Sequence, residues 1–257
     1  MVSNPFALLG IFVLRTSTDC GSFLLFFFMT IKTLVTTRLR VKKLFAQMVS
    51  IGVDSLNIII LTGTFSGAVL ALQSYIGFKR FGAEEFIGPV VALSLIRELG
   101  PVLTGLMVTG RAGSAIAAEL GTMQITEQID ALKTLNINVY QYLMVPRILG
   151  ATLIMPFLVL FSMIFGIIGG YFVSTAVLYL NGEQYISGIK TFVELSDIIG
   201  GLIKSSVFGL ILSWVGCYKG FYTSGGAKGV GLGTTSSVVL GSILILISNY
   251  FLAALLF

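Results

Sequence analysis

Three charged residues lie deep inside long apolar segments, away from the segment ends, where a charge must be paired or solvated. Arg97 and Glu98 interrupt one such segment beside Gly100 and Pro101, and Lys204 interrupts another. A charge at mid-bilayer costs about 2.5 to 3.5 kcal/mol on insertion scales, so these side chains should face protein or a water-filled cavity. Pro101 lacks the N–H that would bond the carbonyl of Arg97, which predicts a kink at the same depth.

Two roles are open for these charges. An Arg97–Glu98 bridge could simply hold helices together, or the charges could lie beside a substrate cavity, with Lys204 as a partner for Glu98. A catalytic pairing of Lys204 with Ser205 or Ser206 is disfavoured, because adjacent helical residues point about 100° apart. The chain has no histidine, which excludes Ser-His-Asp catalysis and His-ligated zinc or haem. We therefore predict no catalytic residue, no metal and no cofactor.

The segments that carry these charges are membrane spans. Hydrophobic residues make up 56% of the 257-residue chain and charged residues 11%, against about 25% charged in soluble domains. Five stretches reach the roughly 20 apolar residues that one crossing needs: 51–75, 86–109, 148–180, 198–218 and 232–257. We predict an all-α integral membrane protein of one domain, 1–257, with a five-span core at 46–257. Within the N-terminal segment 1–45, residues 23–31 are too short to cross and predict an interfacial helix.

The basic residues predict the orientation. Five of the 16 lie in one stretch just before the first span: Lys32, Arg38, Arg40, Lys42 and Lys43. A cytoplasmic N-terminus satisfies the positive-inside rule. The net charge of +5 is therefore explained by membrane orientation and does not indicate nucleic-acid binding. The membrane would be a bacterial inner membrane or a plastid envelope. Cys20 and Cys217 are interpreted as packing residues.

Glycines recur at four-residue spacing, which predicts close helix packing in lipid. Packing within the bundle is favoured over a specific dimer face. The pairs are Gly63 with Gly67, Gly166 with Gly170, Gly216 with Gly220, and Gly229 with Gly233.

The long inside loop between the second and third spans predicts a short amphipathic helix. Thr126 could cap it, and Glu127 and Asp130 would favour the positive end of the helix dipole. Its apolar face would consist of Ile125, Ile129 and Leu132. A helix of this form between two spans is typical of a docking element.

Two signatures in these segments point to a known family. GPVVALSLIRELGPVLTGLMVTGRAGSAIAAELGTMQITEQIDAL at 88–132, followed by YLMVPR at 142–147, strongly resembles the MlaE-type permeases of lipid-transporting ABC systems. GGAKGVGLGTTSSVV at 225–239 resembles the second cytoplasmic signature of that family. The similarity covers residues 40–257.

This resemblance implies a homodimeric permease that moves lipid between membranes; a phospholipid is favoured, although the family includes transporters of sterols as well. Each copy would dock on a separate ABC ATPase, and the dimer would associate with an MCE-domain lipid-binding protein. The loop helix would be the coupling helix. The residues implied in ATPase coupling are Glu119, Gly121, Met123, Thr126, Glu127 and Asp130.

Other sequence features bear on this function. No G-x-x-x-x-G-K-[ST] motif occurs, so another chain would have to bind ATP. An ion-coupled carrier of a small solute is the alternative. Such carriers need ionisable relays and commonly show inverted repeats, whereas this sequence has few buried charges and no visible repeat. The fifth span has no charge, and Tyr250, Phe251 and Leu255 near its outer end are candidates to line a lipid chamber unless they face the bilayer.

Overall fold

The computed structural model describes residues 5–37 and 39–257, without the side chains of residues 5–13, 15, 16, 19 and 20. The predictions for Cys20 and Arg38 lie outside the described side chains. Regular structure in the described part of the chain is helical throughout. The helices are α1 (Pro5–Thr36), α2 (Val41–Phe78), α3 (Ile87–Ser94), α4 (Gly100–Val108), α5 (Ser114–Ile125), α6 (Gln128–Thr134), α7 (Val145–Phe172), α8 (Gly182–Phe192), α9 (Leu195–Phe221) and α10 (Gly226–Leu256).

Among the described residues, five helical segments are long and apolar enough to span a membrane, which confirms the predicted class. They are Val41–Phe81, Glu84–Ile125, Tyr140–Val177, Leu195–Phe221 and Gly226–Leu256. The second contains 42 residues, or about 63 Å of helix at 1.5 Å per residue. That length exceeds the roughly 30 Å hydrocarbon core, so the helix continues beyond the bilayer into the predicted inside loop.

The first and third spans run parallel and touch through glycine. A Cβ placed on Gly63 would lie 2.7 Å from the Ser162 carbonyl oxygen, and one on Gly67 would collide with the carbonyl of Gly166. A Cβ on Gly170 would lie 3.2 Å from the Gly67 carbonyl. These spaced glycines therefore pack helices within the chain, as predicted.

The second and fourth spans are also parallel, and the fifth runs antiparallel beside them. Gly216 on α9 faces the carbonyl of Gly113, and Gly241 on α10 faces Thr109. Cys217 is buried in the core between these helices, in agreement with its predicted packing role. The buried face of α10 is narrow and consists of Ser237, Gly241 and Ile245.

Helix α1 packs on the bundle through aromatic rings. The Phe23 ring stacks on Trp214 with centroids 4.0 Å apart, and Phe26 is buried beside Tyr218. Leu25 and Phe28 remain exposed on the other side. The helix is longer than the predicted 23–31, and within its described side chains the apolar stretch Gly21–Thr36 is shorter than a crossing needs.

In the described spans, π-helical turns occur within the second span, at Leu95–Leu99 and Thr109–Gly113, and at the two ends of the third, at Tyr140–Met144 and Val173–Val177. The first ends directly before Gly100, whose N–H donates to the Leu95 carbonyl. Such turns appear where a residue disturbs the regular bonding ladder. The predicted irregularity at Pro101 is therefore present as a π-turn.

Candidate functional site

A group of polar side chains joins the second, fourth and fifth spans. We call this group the charged cluster: Arg97, Glu98, Asp197, Lys204 and Asn249. Lys204 Nζ donates to Glu98 Oε1 at 2.7 Å, and Asn249 Nδ2 donates to Glu98 Oε2 at 2.9 Å. Lys204 has a fully buried side chain, so its charge requires this partner. The predicted Lys204–Glu98 pair is confirmed.

The predicted Arg97–Glu98 bridge is wrong. Arg97 instead pairs with Asp197, whose Oδ1 lies 2.9 Å from Nε and 2.8 Å from Nη2. Consecutive residues of a helix project in different directions, so Arg97 and Glu98 contact different parts of α9. Arg97 and Glu98 of the second span thus each have a partner of their own in the fourth span.

The break in the second span is joined to the cluster by a hydrogen bond. Pro101 cannot donate to the Arg97 carbonyl, and Lys204 Nζ donates to that oxygen at 2.9 Å. One ammonium group therefore satisfies both a carboxylate and the backbone acceptor that proline leaves free. The Ser205 and Ser206 hydroxyls donate to the Leu202 carbonyl and not to Lys204, so no Ser-Lys pair forms.

Sequence reasoning missed Asp197 and Asn249. Asp197 lies just outside the predicted fourth span, where an acidic residue is common and gives no reason to expect a site. In the structure it forms a capping box with Glu194 and is buried. That E-x-x-D spacing before an apolar run was a usable signal. Asn249 is an amide in the otherwise apolar end of the fifth span, which was a second signal.

The charged cluster is partly open at the surface of the chain. About 40% of the Arg97 and Glu98 side chains is exposed. The ring of Phe257 lies 5.1 Å from the Arg97 guanidinium and 5.0 Å from Lys204 Nζ. The four charges cancel, so the cluster can present both signs to a polar group without placing a net charge in the membrane.

The predicted docking element is built differently from the expectation. The helix of the second span continues to Ile125, bends at Thr126 and Glu127, and resumes as the short α6. Thr126 is not an N-cap, because its hydroxyl donates back to the Thr122 carbonyl. Glu127 occupies the N-cap position with φ 59° and without a side-chain cap. We call residues 119–135 the coupling segment.

The predicted apolar face of α6 anchors the coupling segment to the bundle. Ile129 is fully buried, and Leu132 packs against the same core. Thr126, Glu127 and Asp130 are exposed on the other side. Leu135, which the sequence did not single out, is 69% exposed at the end of α6.

The other predicted coupling residues contact the bundle. Glu119 Oε1 lies 2.7 Å from Nη2 of the buried Arg147, and Met123 lines a cavity beside that pair. Gly121 packs on Thr223, since a Cβ added there would lie 3.2 Å from Thr223 Oγ1. Thr223 precedes the second sequence signature, so the two signatures meet at the same end of the bundle.

The candidate lipid-lining residues point away from the chain. Tyr250, Phe251 and Leu255 on α10 are all largely exposed. Their outward direction fits either a chamber shared with a second copy or the bilayer. Within this one chain they enclose nothing.

Comparison with known proteins identifies the family. Residues 44–255, which comprise nearly all of the five spans and both signatures, match the family Permease MlaE. The chain belongs to the MlaE permease family. A probable ABC transporter permease protein of Rickettsia typhi is 48% identical over 257 residues, which are 100% of this chain and 99% of the relative.

Two more distant relatives of this MlaE-family permease have more specific names. The intermembrane phospholipid transport system permease protein MlaE of Haemophilus influenzae is 37% identical, over 82% of this chain and 81% of that protein. The chloroplastic protein TRIGALACTOSYLDIACYLGLYCEROL 1 of Arabidopsis thaliana is 40% identical, over 82% of this chain and 60% of that protein. The MlaE-family chain is therefore an ABC transporter permease and an integral membrane protein.

Proposed function

We propose that this chain is the permease subunit of an ABC transporter that moves phospholipid between membranes. The family match along residues 44–255 carries the proposal, because it includes the spans, the charged cluster and the coupling segment. The phospholipid assignment rests on the name of the Haemophilus influenzae relative. A separate ATPase would supply the energy, and an MCE-domain protein would carry the lipid onward. The host membrane would be a bacterial inner membrane, and the Arabidopsis relative makes a plastid envelope the alternative.

The coupling segment is the proposed ATPase contact. Its anchored side keeps Ile129 in the core, while Glu127, Asp130 and Leu135 face outward. With one face fixed and the other exposed, the segment would transmit a movement of the ATPase to the second span, because the helix of that span continues into the segment as far as Ile125. Asp130 pairs with the exposed Lys133 at 2.8 Å, and the exposed Glu127 favours a partner surface with basic residues.

Reversing these acids should weaken ATPase binding while leaving the permease folded. We expect the double variant Glu127→Lys, Asp130→Lys to lose at least about tenfold in affinity for the cognate ATPase, because like charges would then meet at the contact. Pull-down from detergent-solubilised membranes measures the loss. Glu85→Lys with Glu183→Lys makes the same charge change at exposed outer positions and is the matched control. Equal capture by both double variants would contradict the coupling assignment.

The lipid chamber is proposed between two copies of the chain. The exposed surface of α10 near its outer end is apolar and aromatic, with Tyr250, Phe251 and Leu255 the most prominent side chains. Such a wall suits acyl chains and disfavours a hydrated ion or sugar. The half-exposed Arg97 and Glu98 lie beside the same helix end and would supply the polar contacts.

Photo-crosslinkers at Tyr250 and Leu255 should capture lipid in the assembled transporter. We expect this labelling to fall when ATP is supplied, because transport would empty the chamber. The same crosslinker at Phe172, an exposed residue near the outer end of the third span, is the reference for bulk bilayer. Labelling equal to that reference and indifferent to ATP would place Tyr250 and Leu255 against ordinary membrane lipid.

A transport assay separates the proposal from the ion-coupled alternative. ATP-dependent transfer of fluorescent phospholipid from proteoliposomes that contain the complete complex should continue after an ionophore collapses the ion gradients. A carrier driven by ions would stop under the same treatment.

A further inference from the structure

A second polar site lies at the opposite end of the bundle from the charged cluster. A cavity of about 750 Å³ opens between the start of α2, the end of α5 and the start of α7. Its wall includes Lys43 and Gln47 from α2, Glu119 and Thr122 from α5, and Tyr142 and Arg147 from the third span. This volume falls within the range of about 300–1,000 Å³ that is common for small-ligand sites. We call it the inner cavity.

The charge of the inner cavity is positive. Glu119 is the one acid in its wall and is neutralised by Arg147 at 2.7 Å. Lys43 then remains as a net cation, and its Nζ lies 3.0 Å from the centroid of the Tyr142 ring. The Arg40 guanidinium lies 4.7 Å from the same ring and adds a second positive charge at the rim.

Arg147 keeps the one acid of the inner cavity from opposing an anion. The side chain of Arg147 is only 5% exposed, and its Nη2 lies 2.7 Å from Glu119 Oε1. Its Nε is buried and has no hydrogen-bond partner among the described residues. Lys43 and Arg40 therefore supply the attraction for an anion.

The position and lining of the inner cavity favour a lipid over a dissolved anion. It lies at the helix ends that the basic residues assign to the cytoplasmic leaflet. Met123, Leu143 and Pro146 add an apolar part to its wall. Basic pockets between spanning helices on the cytoplasmic side are a known form of lipid headgroup site.

We propose that the inner cavity binds the phosphate headgroup of an anionic phospholipid from the cytoplasmic leaflet. Lys43 contacts the phosphate, with Arg40 at the rim, and the lipid is a resident of the site and not the cargo. The bound headgroup joins α2 to the coupling segment through Thr122 and Met123. Membrane composition would thereby affect the surface on which the ATPase docks, whatever lipid is transported.

Thermal unfolding of the full chain in neutral detergent tests this site. We expect dioctanoyl-phosphatidylglycerol to raise the unfolding temperature at concentrations where dioctanoyl-phosphatidylcholine and inorganic phosphate do not. Lys43→Gln should weaken this effect about fivefold, since one Lys near an anionic lipid is worth about 1 kcal/mol. Lys43→Arg should retain it. Lys42→Gln makes the same charge change at an exposed neighbour outside the cavity wall and should leave it unchanged.

Four outcomes would overturn the inference. Equal stabilisation by the two lipids would remove the requirement for an anion, and equal stabilisation by inorganic phosphate would make the site one for a free anion. An equal loss in Lys42→Gln would indicate diffuse surface charge. A Lys43→Gln variant that keeps the lipid effect but no longer captures the ATPase would assign the inner cavity to a protein contact.

Discussion

Glu98→Gln is expected to destabilise the folded permease by up to about 3 to 5 kcal/mol, which is more than the cost expected for Lys204→Met. Loss of Glu98 leaves the charge of a fully buried lysine without its counter-ion. Loss of Lys204 leaves a carboxylate that is 40% exposed and still bonded to Asn249. Lys204→Met also frees the Arg97 carbonyl, an unsatisfied acceptor that costs about 1 to 3 kcal/mol. Thermal unfolding in detergent and yield from membranes measure both effects.

The double variant Glu98→Gln, Lys204→Met separates stability from transport. It removes both charges of one pair, so most of the stability lost in Glu98→Gln should return. A double change at Arg97 and Glu98 would not rescue, because it leaves Asp197 and Lys204 unpaired. A rescued variant that still fails to move lipid supports a role in the transport path, whereas full recovery of transport assigns the pair to structure alone. Lys190→Met, at an exposed lysine of α8, should change neither property.

Gly67→Ala should destabilise the bundle by about 3 kcal/mol or more, at the upper end of the usual cost of overpacking. The new Cβ would occupy the position of the Gly166 carbonyl. That carbonyl belongs to the backbone of α7, which cannot move aside as a flexible side chain could. The unfolding temperature of the purified chain measures the loss.

Gly77→Ala on the same helix is the matched control. A Cβ at Gly77 has no neighbour within 4 Å, so the higher helix propensity of alanine should leave stability unchanged or raise it by up to about 1 kcal/mol. Equal destabilisation in the two variants would indicate a general effect of the substitution. The contact between α2 and α7 would then not be tight.

The sequence predicts those site residues whose burial in a bilayer would cost free energy. Lys204 and Glu98 are recognisable because each interrupts an apolar run, and that cost requires a partner. Asp197 escapes the same argument because it lies at a span boundary, where a carboxylate needs no explanation until the fold buries it. The pairing of Arg97 with Asp197 depends on how the second and fourth spans are rotated, which periodicity does not determine.

The coupling segment illustrates a second limit. Its apolar face was predicted correctly at Ile129, because periodic burial is visible in the sequence. Its beginning was not, because Thr126 resembles an N-cap while the preceding helix continues to Ile125. The turn depends on the left-handed backbone conformation of Glu127. A glutamate at this position does not predict that conformation, because residues other than glycine rarely adopt it.

The glycine contacts between α2 and α7 also restrict how this protein can change shape. Where two backbones touch without intervening side chains, sliding one helix along the other would drive side chains into carbonyl groups. The two helices should therefore move as one rigid body, and shear between them is excluded as a step of any transport cycle. Helix α10 has a narrow buried face around Gly241 and one side-chain hydrogen bond to the second span, from Asn249 to Glu98, so its displacement would break fewer contacts. We expect it to act as the mobile wall and the α2–α7 pair as the fixed frame.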